Sequence, residues 1–177
     1  MDNLRFLDLS YNRISSVHET PFKGLGQLHD LLLSNNEITT IPKDAFHGAA
    51  KLQLLDLERN QITFIHEDAF AGFIQLEDLN LGENRFPNLP KKGLNRILHL
   101  KTFNNPKLRD FPAPETFPRI QTLVLSYAYH CCAFLPLVTA ASTSKAPPLQ
   151  EAVLFPTDNE FDMSLWNNSQ TDIWPQL

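Results

Sequence analysis

The sequence predicts an α/β solenoid: a curved ribbon of stacked units with short parallel strands on its concave face, followed by an irregular tail. Three observations predict it. Segments starting at Leu4, Leu28, Leu52 and Leu76 lie 24 residues apart and repeat leucine at their first, fourth and sixth positions, as in Leu4/Leu7/Leu9 and Leu52/Leu55/Leu57. Asparagine follows at the ninth position (Asn12, Asn36, Asn60, Asn84), with an apolar residue two later (Ile14, Ile38, Ile62, Phe86). Phenylalanine recurs at one place in the first three segments, as Phe22, Phe46 and Phe70. A fixed period of roughly 20–50 residues marks a stacked-repeat architecture.

Each element has a physical reason. Side chains alternate faces along a strand, so the leucines of L-x-L share one buried side. Burying one such leucine contributes about 1.5–3 kcal/mol, but only if a neighbouring unit covers it. Asparagine carries two donors and an acceptor, enough to satisfy backbone groups where the chain turns off the strand. The phenylalanines are expected to fill the opposite wall. The pattern is that of a leucine-rich-repeat horseshoe.

The period then slips. A fifth unit starting at Ile97 gives Leu100, Asn105, Leu108 and Phe111, makes the fourth unit 21 residues long, puts Thr102 at a leucine position and inserts one residue after Asn105. A start at Leu100 keeps the period of 24 but puts Leu108 where asparagine belongs, and the start at Ile97 is preferred. A sixth begins at Ile120 with Leu123 and Leu125 and runs into Tyr127–Phe134. Residues 1–134 are thus read as about six units ending at Cys131-Cys132, and residues 135–177 as a largely irregular hinge region. The first unit opens almost on a strand leucine, so the chain is expected to be part of a longer array.

Composition narrows the function classes. The formal net charge is -5, which gives no case for nucleic acid. The last 43 residues hold one lysine and five acids, against a nearly neutral body. No apolar run approaches the ~20 residues that span a bilayer, and no signal peptide is visible at Met1–Leu4. No acid/base pair, phosphate loop or nucleophile elbow is present, so neither an enzyme nor a cofactor is expected.

Both cysteines sit side by side. A trans peptide holds consecutive Cα atoms about 3.8 Å apart, whereas disulfides want roughly 4.4–6.8 Å. Free thiols, metal ligation with His130 and bonding to cysteines elsewhere remain open; the spacing matches no common zinc pattern, and no metal site is assigned. Asn167-Asn168-Ser169 fits the glycosylation sequon, and Trp166 and Trp174 stand in the same aperiodic tail.

The third, fifth and seventh positions of each unit should project from the concave face. There they place Asp8, Asp30, Asp56, Glu58, Asp78, Asn80 and Lys101, a mainly acidic set suited to a partner with exposed Lys or Arg. A solvated face is the plainer reading of the same charges. Residues 84–109 hold seven basic side chains and no acid; they are expected to form a solvated edge.

The stretch Tyr-Ala-Tyr-His-Cys-Cys-Ala-Phe, the preceding "FPRIQTLVLS" and "LKTFNNPKLRDFP" together resemble the ectodomain of leucine-rich-repeat-containing G-protein-coupled receptors, the glycoprotein-hormone receptor group, and within it the invertebrate bursicon-receptor branch. The resemblance implies an extracellular module on the plasma membrane that binds a secreted hormone of cystine-knot type. It implies that Cys131 and Cys132 pair with cysteines nearer the first membrane helix, and that the seven-helix domain and its G protein belong to the full-length receptor. The chain is then a fragment, with membrane contact only through that missing domain. The repeats alone equally fit a secreted or cell-surface adhesion or matrix protein without a signalling domain.

Overall fold

A computed structural model describes residues 3–18 and 20–134. Its strands, in chain order, are β1 (Phe6–Asp8), β2 (Asp30–Leu32), β3 (Thr40–Ile41), β4 (Leu54–Asp56), β5 (Phe64–Ile65), β6 (Asp78–Asn80), β7 (His99–Lys101) and β8 (Thr122–Val124). Six of them form one parallel sheet in the order β1-β2-β4-β6-β7-β8, one strand per unit. Short β3 and β5 pair separately, in parallel, on the outer side. The register aligns Leu7, Leu31, Leu55, Leu79, Leu100 and Leu123 across the main sheet. The step from Asp78 to His99 confirms the 21-residue fourth unit and the start at Ile97.

The class stands, but its helical part is smaller than an α/β solenoid implies. Among the described residues the only helices are 3-10 turns at Pro114–Thr116 and Ala128–Phe134. The outer segments, such as residues 42–48, return in turns because proline and glycine punctuate them before an α-helix gains length.

The core is the leucine wall closed by the phenylalanine wall. Leu28, Leu31, Leu33, Leu52, Leu55 and Leu57 are wholly buried. Phe22, Phe46 and Phe70 stack with ring centroids 6.0 and 6.3 Å apart. Thr102, at its leucine position, is also fully buried; its backbone N–H donates to Val124 O at 2.7 Å. At the first unit, Leu4, Leu7 and Leu9 are only partly covered and line an open hollow of about 530 Å³ with Val17 and Phe22.

The asparagines tie unit to unit. Asn60 Nδ2 donates to Leu57 O and Glu58 O of its own unit and to Leu33 O of the one before. Its Oδ1 accepts from Ile38 N–H at 3.0 Å. Asn36 and Asn84 repeat the scheme, and Asn105 repeats its donor half. The residue just before each asparagine is left-handed: Tyr11, Asn35, Arg59, Glu83 and Asn104 have φ of 52–56°. The turn off the strand demands that conformation, and asparagine tolerates it better than the bulkier residues do.

The concave face as candidate binding site

The sheet register builds this face in three rows. The third positions line up Phe6, Asp30, Leu54, Asp78, His99 and Thr122. The fifth positions line up Asp8, Leu32, Asp56, Asn80, Lys101 and Val124. Glu58 belongs to the seventh-position row. All seven residues anticipated from the spacing therefore share one face.

Two features differ from the expectation of a free acidic strip. First, Asp30, Asp56 and Asp78 are half-buried rather than solvated; only Asp8 is exposed. Adjacent strands lie about 4.8 Å apart, so side chains on the inside of the curve crowd one another. Second, apolar residues stand between the acids. Asp30 lies between Phe6 and Leu54, and Asp56 between Leu32 and Asn80. Phe6 is 54% exposed and Val124 38%. The spacing rule that selected the acids selects these apolar residues too, once charge is not used as the filter.

Several side chains also bind their own backbone. Asp8 Oδ1 accepts from Ser10 N–H at 2.9 Å, Asp56 Oδ1 from Glu58 N–H at 3.0 Å and Asn80 Oδ1 from Gly82 N–H at 3.1 Å. The fifth position thus caps the turn that leaves the strand. Asn80 Nδ2 donates to Glu58 Oε2 at 2.7 Å. Arg59 reaches Glu83 at 3.1 Å and Glu58 at 3.8 Å. Gly82 is bare because Phe103 lies over it; a Cβ there would sit 2.4 Å from the ring.

The electrostatics follow from burial. Desolvation raises the Asp56 pKa above its usual range; the Glu58 backbone N–H opposes this, the Glu58 charge adds to it and the Lys101 charge counters it. Desolvation likewise raises Asp78, against the charges of His99 and Lys101 and with that of Glu77. Asp8 is lowered, chiefly by the Ser10 backbone N–H. Lys101 thus acts on the two most crowded carboxylates at once.

The end of the ribbon separates residues that are adjacent in sequence. Cys131 and Cys132 are exposed free thiols. His130 turns the other way: it is buried, its Nε2 lies 3.0 Å from Arg109 O, and its Nδ1 has no partner. Its ring packs against Tyr129, Phe111 and Tyr127 at 4.5, 5.2 and 5.6 Å. With Phe117 and Phe134 these rings cap the last unit, a role the sequence reading missed. No group of three or more potential metal ligands occurs among the described residues. The basic run divides as well: Lys92 pairs with Asp68 at 2.7 Å on the outer side, while Lys101 stands on the concave sheet. Asn167, Trp166, Trp174 and the rest of residues 135–177 lie outside the described residues. Among the described residues no helix is long and apolar enough to cross a membrane.

Comparison with known proteins agrees with this architecture. The leucine rich repeat family model matches residues 2–62. The chain is 40% identical over 47 residues to leucine-rich repeat-containing G-protein coupled receptor 5A of Xenopus laevis, covering 27% of this chain and 5% of that protein. It is 43% identical over 47 residues to receptor 4 of Rattus norvegicus, with the same coverage. It is 33% identical over 90 residues to receptor 6 of Danio rerio, covering 44% of this chain and 9% of that protein. The match therefore spans under a tenth of the length of these relatives. Residues 3–18 and 20–134 form a leucine-rich-repeat solenoid, and the proteins the chain resembles in sequence are leucine-rich-repeat-containing G-protein-coupled receptors.

Proposed function

We propose that the chain is an extracellular ligand-binding module of such a receptor, without catalytic activity, whose concave face contacts a secreted protein. The supporting observation is the continuous six-stranded sheet, which carries Asp30, Asp56 and Asp78 interleaved with Phe6, Leu32 and Leu54. Apolar side chains between carboxylates suit a protein surface in which Lys or Arg alternates with aliphatic residues: the charges steer approach and the apolar contacts hold the complex. By resemblance the partner is a cystine-knot hormone, the branch is that of the bursicon receptor, and residues 135–177 form the hinge towards a seven-helix domain. On this reading Cys131 and Cys132, exposed and unbonded, form disulfides with cysteines nearer the first membrane helix, which this sequence does not contain, and Asn167 carries a glycan.

The test is surface binding of the chain to a panel of secreted cystine-knot proteins at two salt concentrations. Asp30→Lys with Asp78→Lys is expected to slow association about tenfold or more at low salt, with the difference shrinking at high salt. Unchanged association in the charge-reversed protein would remove the concave face from the reading. Failure of the whole panel, with the fold intact, would favour the adhesion or matrix alternative.

A further inference from the structure

The outer side of the ribbon carries a second ladder, and it stops abruptly. Between the second and third units Gln61 N–H donates to Ile38 O (3.0 Å), Thr63 N–H to Thr39 O (2.8 Å) and His66 N–H to Ile41 O (2.9 Å). One unit later Arg85 N–H still donates to Ile62 O at 2.9 Å. The residues equivalent to Thr63 and His66 are then Pro87 and Pro90, and proline has no N–H to give. The carbonyls of Thr63 and Ile65 therefore lack the donors that those of Thr39 and Ile41 receive. Pairing resumes only further along, where Asn88 bridges Asp110.

The missing bonds leave a notch of about 330 Å³ lined by Phe64, Ile65, His66, Glu67, Leu89 and Pro90, with Asn88 at its edge. It is an opening in a tight wall, since Gly93 packs directly on the Phe70 backbone beyond it. Its chemistry is one-sided. Ile65 O supplies an acceptor without its ladder donor. Glu67 supplies a carboxylate that is 73% exposed; Lys92 stands 3.8 Å from it and sits mainly on Asp68, at 2.7 Å. Phe64, 55% exposed and edge-on to His66, supplies an aromatic face.

The geometry points to this notch as a binding site for a guanidinium group, the arginine side chain of a partner protein docking on the outer side of the ribbon. Arginine matches each part. It is donor-only, its fork serves a carbonyl and a carboxylate together, and its plane stacks on an aromatic ring. The site lies on the opposite side of the ribbon from the concave sheet and does not depend on what that sheet binds.

The probe is N-acetylarginine methylamide, titrated into the full isotope-labelled chain and followed by NMR. Shifts are expected at Phe64, Ile65, His66 and Leu89, saturating on the order of millimolar as befits a single side chain. The citrulline analogue, with the same shape and no charge, should move them at least about fivefold less. Pro87→Thr with Pro90→His restores the N–H donors and should abolish the response. Should that variant fail to fold, Glu67→Gln and Phe64→Ser, both exposed substitutions, are each expected to weaken binding. Absence of shifts at Phe64–His66, equal response to citrulline, or full response in the folded variants would overturn the site.

Discussion

At the scale of single residues, side chains that look alike in the repeat differ in what holds them. Asn60 is buried and makes four hydrogen bonds to two units. Asn12, at the same position in the first unit, is exposed and donates only to Leu9 O and Ser10 O. Asn60→Ala strands a buried N–H and several carbonyls and is expected to cost about 3 kcal/mol, against about 1 kcal/mol or less for Asn12→Ala. Urea denaturation of the two variants checks the contrast. Asp56 carries a prediction with a pH sign. Burial holds its folded-state pKa above the ordinary 3.8, so between those two values the folded chain binds more protons than the unfolded one. Stability is then lost as pH rises through that window. Asp56→Asn keeps an acceptor for Glu58 N–H, as Asn80 does for Gly82, and cannot ionise. It is expected to raise the thermal midpoint at pH 7, with the gain vanishing below pH about 3.8, the ordinary carboxylate value. A gain that persists in acid would mean that packing, not desolvation, sets the difference.

At the scale of elements, the inner strands are short because three residues per unit suffice to carry the ladder, and the outer segments are turns because glycine and proline interrupt them. Gly93 shows how tight the outer wall is. Its φ is +83°, and a Cβ there would lie 2.1 Å from Phe70 O and 2.3 Å from Phe70 C. Both backbones would have to move, so Gly93→Ala is expected to cost about 3 kcal/mol, combining overpacking with the left-handed penalty. Calorimetry against Gly24→Ala, where φ is +88° and a Cβ meets nothing within 4 Å, isolates the contact. Pro87 and Pro90 end the outer ladder one unit after β5. Their lack of N–H is plain from sequence, but the carbonyls left waiting opposite them become visible only once Thr63 and His66 are seen donating to the preceding unit.

At the scale of the whole molecule, stability belongs to the stack. The buried rows run through neighbouring units, with Thr102 and two isoleucines standing in for leucine in the later ones, so no unit holds its core alone. The first four units, their leucine and phenylalanine walls and their asparagine positions were determined by the sequence itself, because one period repeated four times leaves a single register for the core leucines. Beyond them the sequence allowed a start at Ile97 or Leu100, and the pairing of Asp78 with His99 selected Ile97. Membership of the concave rows followed from the same alternation, Asp8, Asp30, Asp56, Glu58, Asp78, Asn80 and Lys101 included. Only the tertiary structure decided how buried those carboxylates are, that His130 turns inward while Cys131 and Cys132 face out, and that a notch opens beside Phe64. These properties depend on what the neighbouring unit places a few ångströms away, and one unit's sequence does not contain its neighbour's side chains or their desolvation.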